Sequence, residues 1–306
     1  MIWLVRTLGC LVLVLLLLIT GTALFKFLRV AWFGPSSGHG DHVYVTSITG
    51  MITSGQDFVR DLEKRTKEKS TKAIVVRINS PGGFVAPSQE MYEAIVAADK
   101  KVPVFISMGQ VAASGGYYAA LGGRRIYANS GTVTGSIGVL MEFMNFEKLA
   151  QWAKVDRFSI TSGPMKAAGS PFRKMKPEEE VYFKGLITNI FIQFRDTVKE
   201  RRKFDDAHTA KVSDGRVFTG TQAKEERLVD EVGTLTDTIA AAKKAAKLDD
   251  DAPVIYSAKG KGFLSSLLDS DDEGADGSFS NTVDAWKRYA DPSMHGWQMM
   301  LVSPVR

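Results

Sequence analysis

Two short runs rich in β-branched residues, AIVVRI at 73–78 and VPVFIS at 102–107, flank a helix-compatible stretch at 87–99. Each run leads into a glycine-rich turn. A short, continuously apolar run bounded by such turns reads as a strand covered on both faces, the habit of parallel sheets. Strand, helix, strand, helix in succession demands crossover connections and therefore an α/β domain with a mostly parallel sheet. Ligands in such sheets gather at the carboxyl ends of the strands. Both turns, NSPGG at 79–83 and GQVAASGGYY at 109–118, fall at those ends and are expected to face one cleft.

Ser114 lies at the centre of the second turn, where a strand passes into a helix. Gly115 and Gly116 let the backbone turn tightly, and the start of a helix offers free N–H groups that favour negative charge. A nucleophile and a developing oxyanion could be held there, with Gly82 or Gly83 presenting a second N–H beside that of Gly115. The same residues also suit close packing of a helix on a sheet, with Ser114 as a cap and NSPGG as an ordinary turn. The stretch alone leaves both readings open.

Other elements follow the same logic. Strands are expected at 43–48, 125–128 and 155–160, helices from about 54, at 146–154 and at 235–248, and a turn with a short strand in VSDGRVFTG at 212–220. Pro177 opens a long helix with Glu178, Glu179 and Glu180 in its first turn and an apolar stripe of Phe183, Leu186, Ile187, Ile190, Phe191, Phe194 and Val198. Between these lie GTVTGSIGV at 131–139, which holds Ser136, and TSGPMKAAGSP at 161–171, which sets Lys166 among small neighbours. A lone lysine in a loop is ordinarily a solvated charge.

The ends differ from the middle. Residues 7–25 carry no charge and would span about 28 Å as a helix, close to a bilayer core. They read as a membrane anchor within residues 1–33, with a cleaved signal peptide as the alternative. A flexible linker follows at 34–42, then a globular domain at 43–248. Residues 249–306 combine an acidic linker, DSDDEGADGS, with a tail holding Trp286, Tyr289, Trp297, Met299, Met300 and Leu301. Such a tail is expected to bind a membrane surface, another subunit or its own active site. The net charge of +5 comes from scattered residues, so no nucleic-acid partner is expected.

The chemistry is narrowed by what the chain lacks. Its only cysteine, Cys10, lies in the anchor, and its four histidines, His39, His42, His208 and His295, lie away from the glycine-rich turns and outside HExxH spacing. No metal or cofactor is expected. Ala112 stands where a GxSxG elbow would have its first glycine, which disfavours an α/β-hydrolase. A lysine base is the economical partner for Ser114. It must be neutral to accept a proton, so its surroundings must lower its pKa from about 10.4 by desolvation.

Together, NSPGG, AASGGYY, TGSIGV, SGPMKAAGSP and DGRVFTG resemble the bacterial signal peptide peptidase A family in its short single-domain form, over residues 43–248. The resemblance implies a ClpP-like and crotonase-like fold behind one transmembrane helix. It also implies a Ser-Lys dyad peptidase that degrades residual signal peptides and other extended hydrophobic peptides. By motif position Ser114 is the nucleophile, Lys166 the general base, Ser136 the hydroxyl that orients the lysine, and Gly83 with Gly115 the oxyanion hole. The family further implies a homo-oligomeric ring, an octamer, on the bacterial inner membrane with an extracytoplasmic catalytic domain. Arg227 departs from the pattern, standing where relatives usually carry glycine. The alternatives are a crotonase-type acyl-CoA enzyme and a non-catalytic membrane scaffold that binds unfolded segments.

Overall fold

The structure, a computed structural model, describes residues 40–257 and 300–302, together with position 21. Apart from position 21, the expected anchor lies outside the described residues, as do most of the linker and the rest of the tail. Among the described residues no helix is long and apolar enough to cross a membrane.

The domain is mixed α/β. In chain order the first elements are β1 (His42–Thr49), α1 (Gln56–Arg65), β2 (Thr71–Ser80), β3 (Gly82–Phe84), α2 (Val85–Asp99), β4 (Val104–Ala113) and α3 (Gly115–Ala120). They are followed by β5 (Arg125–Ala128), β6 (Val133–Gly135), α4 (Glu147–Trp152), α5 (Pro177–Arg202), α6 (Asp206–Val212) and β7 (Val217–Thr219). The last are α7 (Gly220–Glu225), β8 (Glu231–Val232), α8 (Leu235–Ala245), β9 (Val254–Tyr256) and β10 (Met300–Val302). The main sheet runs β9-β1-β2-β4-β6-β7, parallel throughout except where β7 returns antiparallel to β6. Strand β4 is long enough to take two partners in turn, β5 beside its first half and β6 beside its second.

The two faces of the sheet can be read from alternate residues. Tyr44, Ile48, Ile74, Val76, Ile78 and Ile106 point into a large core with α1, α2, α3 and α5. Val43, Val45, Ala73, Val75 and Phe105 point the other way, onto Leu235, Ile239 and Ala242 of α8. Burial on both sides is why β2 and β4 carry unbroken apolar runs. Each such side chain contributes roughly 1.5–3 kcal/mol when fully buried.

Three boundaries depart from the sequence expectation. First, β4 continues to Ala113, through residues expected to turn. The Val111 N–H donates to Asn79 Oδ1, and β6 takes up the pairing from Val111 to Ala113. Second, α2 begins at Val85, ahead of Pro87. Proline is tolerated there because the first turn of a helix needs no intrahelical N–H. Third, no strand forms at 155–160. Val155, Phe158 and Ile160 are exposed in a loop, and β propensity without a partner strand does not make a ladder.

Candidate active site

Ser114 is the hinge between β4 and α3, with φ 53° and ψ −118°, a conformation that L-residues rarely occupy. The surroundings hold it there. Its N–H donates to Gly135 O at 2.8 Å, its carbonyl accepts the Tyr118 N–H at 2.8 Å, and every residue of α3 is buried. Tyr117 ties the far side of the helix down by donating its hydroxyl to Leu228 O, and burial pushes that phenol well above its usual range. The Ser114 side chain is buried too, yet its Oγ has no hydrogen-bond partner among the described residues. Leaving a buried hydroxyl unsatisfied costs about 1–3 kcal/mol. Strain and an orphaned hydroxyl on one residue, at a sharp strand-to-helix turn, are the features of a presented nucleophile.

Two glycines close on this corner. Gly83 is clamped to Ile52, whose N–H donates to Gly82 O and whose carbonyl accepts the Phe84 N–H, each at 2.8 Å. A methyl group on Gly83 would stand 2.1 Å from Ile52 O, so no larger residue fits without moving backbone. Because N–H and C=O groups alternate along an extended strand, the Gly83 amide faces the opposite edge of β3. That edge is where Gly115 lies: a methyl group on Gly115 would be 3.2 Å from Gly83 N and 2.4 Å from Ser88 Oγ. Strand β10 pairs antiparallel with the same edge, Leu301 opposite Gly83, and also touches α3.

Ser136 stands beside this corner through the backbone. Its neighbour Gly135 accepts the Ser114 N–H, while its own N–H donates to Arg216 O at 2.8 Å, and it is buried at φ 51°. Lys166 is placed differently. It lies in a series of tight turns, with its N–H on Gly163 O at 3.1 Å, and its side chain is exposed with no hydrogen bond or ion pair among the described residues. The structure thus gathers Ser114, Ser136, Gly83 and Gly115. No hydrogen bond joins Lys166 to Ser114 or to Ser136.

Sequence reasoning passed over several residues that build the site. Ser88 is fully buried against Gly115 and donates to Phe84 O, and Ser80 Oγ accepts the Gly82 N–H. Asn79 links the two glycine-rich turns through Val111. A third group lies beyond Lys166: Arg173 grips the buried carboxylate of Glu179 with both terminal nitrogens, at 2.9 and 2.5 Å. The Arg173 guanidinium, joined by backbone N–H donors, holds that carboxyl down at about 2. Nothing in the sequence pattern separates these two charges from surface residues.

The sequence profile of peptidase family S49 matches residues 96–249, and that of Clp protease matches residues 44–133. A protein of Synechocystis named as a protease is 42% identical over 205 residues, covering 67% of this chain and 74% of its own length. An Enterococcus faecium protein named as signal peptide peptidase SppA is 33% identical, covering 70% of this chain and 62% of its own length. Protease 4 of Haemophilus influenzae is 30% identical, covering 69% of this chain, which spans only 36% of that longer protein. The chain belongs to peptidase family S49, as an SppA-type serine peptidase with a ClpP-like fold.

Proposed function

We propose that this chain is a membrane-anchored endopeptidase that cuts extended apolar peptides, residual signal peptides among them, with Ser114 and Lys166 as a Ser-Lys dyad. The observation that carries the proposal is that one corner brings together a strained Ser114 whose hydroxyl has no partner among the described residues, Gly83 and Gly115 in close approach, and a strand edge that takes an antiparallel partner. A peptide laid along β3 as β10 lies would gain main-chain hydrogen bonds from the strand and bring a carbonyl to the amide pair.

In the proposed reaction Ser114 Oγ attacks the carbonyl carbon and passes its proton to neutral Lys166. The Gly83 and Gly115 amides hold the oxyanion. Collapse expels the amine, which takes the proton from the lysine; water then attacks the acyl carbon as it gives a proton to the lysine, and the C–Oγ bond breaks as the lysine returns that proton to Ser114 Oγ. Ser136 would orient the lysine.

Lys166 reaches the serine when its segment is packed down in a homo-oligomeric ring. In the residues leading into that segment, Leu149, Trp152, Phe158 and Ile160 are each more than half exposed and would be covered there. Residues 7–25 would hold the ring on the bacterial inner membrane with the catalytic domain outside the cytoplasm. Labelling of the full chain with a serine-directed fluorophosphonate, followed by mass mapping, should mark Ser114 and block cleavage of an apolar peptide ester. A label on another residue, or turnover that survives a label on Ser114, would remove the serine from its role.

A further inference from the structure

Lys166 is the one proposed catalytic residue that the buried corner does not hold, so whatever fixes its loop matters. The loop is stitched locally by three turns: Lys166 N–H to Gly163 O, Ala168 N–H to Met165 O and Ser170 N–H to Ala167 O. None of these fastens it to the rest of the protein. The fastening comes from Arg173 and Glu179.

Glu179 sits in the first turn of α5 with its side chain 1% exposed. Its carboxylate accepts from Nη1 and Nη2 of Arg173 and from the Lys176 N–H at 3.2 Å. Capping α5 requires only the Lys176 contact. Arg173, in turn, turns the other hydrogens of its two terminal nitrogens to loop carbonyls: Nη1 on Lys174 O at 3.0 Å and Nη2 on Ala167 O at 2.8 Å. The ion pair therefore grips the chain at Ala167, one residue past Lys166. Phe172 is held under the Arg157 guanidinium, and Pro171 O accepts the Phe146 N–H at 2.6 Å, which closes the far side of the loop.

We propose that Arg173 and Glu179 are positioning residues that set the backbone of Lys166, and hence the reach of the catalytic base. This rests on the proposed role of Lys166. Helix capping alone would not need the Ala167 contact. A guanidinium has the fork to meet two carboxylate oxygens and two carbonyls in one plane, and an ammonium does not.

The discriminating variant is Arg173→Lys in the full-length chain. It keeps a positive charge against Glu179, and with it the fold, but cannot also hold Ala167 O. Expected are a fall in kcat of about ten- to a hundredfold for peptide-ester cleavage, a KM within about twofold and an unfolding midpoint near wild type. Glu179→Gln should give the same kcat-against-KM split. Should either variant also lose stability, the comparison moves to the Lys166→Ala background, where residual ester turnover comes from the oxyanion hole alone. There Arg173→Lys should cause no further loss. Wild-type kcat in Arg173→Lys and Glu179→Gln, or a further loss in the Lys166→Ala background, overturns the proposal. Wild-type turnover by Lys166→Ala itself would instead remove the base and leave the loop's fastening a matter of stability.

Discussion

The corner around Ser114 and the segment around Lys166 are built by different means. At the corner, Ser114, Gly115, Ser136, Tyr117 and Ala112 are all nearly or fully buried, and every turn is pinned by main-chain hydrogen bonds. Along 144–160 the side chains of Trp152, Phe158 and Ile160 point outward at 81%, 87% and 93% exposure, and just past Lys166 the Arg173–Glu179 ion pair holds the backbone at Ala167. On the proposed function, folding of one chain completes the nucleophile's half of the site, whereas the base's half waits for a covering surface. One site thus draws on two levels of organisation.

The strongest way to break this comparison is to remove each half separately. Ser114→Ala and Lys166→Ala should each lower peptide-ester turnover by at least about 10³-fold, leaving the residue that an oxyanion hole alone supports. A surviving Lys166→Ala enzyme would mean that the corner is complete without the segment. Next in size, Gly83→Ala forces a methyl group against Ile52 O, and should cost about 10²–10³-fold in kcat by displacing an oxyanion donor. If turnover holds, the Gly83 amide is not part of the machinery.

A third test concerns the fastening of the segment. The folded-state pKa of Glu179 is depressed to about 2, so its ion pair adds stability that is present above the ordinary carboxylate range and disappears as pH falls through that range toward 2. Glu179→Gln should therefore be less stable than wild type near neutrality and lose less on acidification, by urea unfolding between pH 2 and 7. Parallel curves for the two proteins would separate the carboxylate from the acid response.

The smallest effect on folding should come from the exposed face. Trp152→Ser with Phe158→Ser should change the unfolding free energy by no more than about 0.5 kcal/mol, since both side chains stand more than four-fifths exposed among the described residues. Sedimentation and activity should move together as association weakens. Unaltered association would mean that this face is not a contact between copies.

The parts of this molecule that the sequence discloses are those where one residue type has one physical use. Unbroken apolar runs mark β2 and β4 because only a strand buried on both faces needs them, and Ser114 stands out because two glycines follow it at a strand end. Residues 155–160 mislead because β-branched composition says nothing of whether a partner strand exists. Arg173 and Glu179 stay hidden because their contact depends on the turns between 167 and 176, which no pattern announces.

Arg227 lies between these cases. Its departure from glycine shows only against the family, and the structure supplies the reason that it matters. It sits at φ 58° just past α7, with the Leu228 N–H on Ala223 O and its own N–H on Lys224 O, the Schellman pattern that favours glycine. Its guanidinium lies over the Phe204 ring, 5.1 Å from the centroid, which offsets part of the strain.

The backbone angle of Ser114 has a consequence for how this chain can change. At φ 53° every side chain is strained, and only glycine relaxes there. Ser114→Gly should therefore yield a protein that is harder to unfold and inert toward substrate, while Ser114→Ala keeps the strain and loses only the hydroxyl. Selection for durability alone would erase this serine. Its retention places the domain below the stability its own architecture could reach, and screens for thermostable variants will need an activity filter to avoid collecting dead ones.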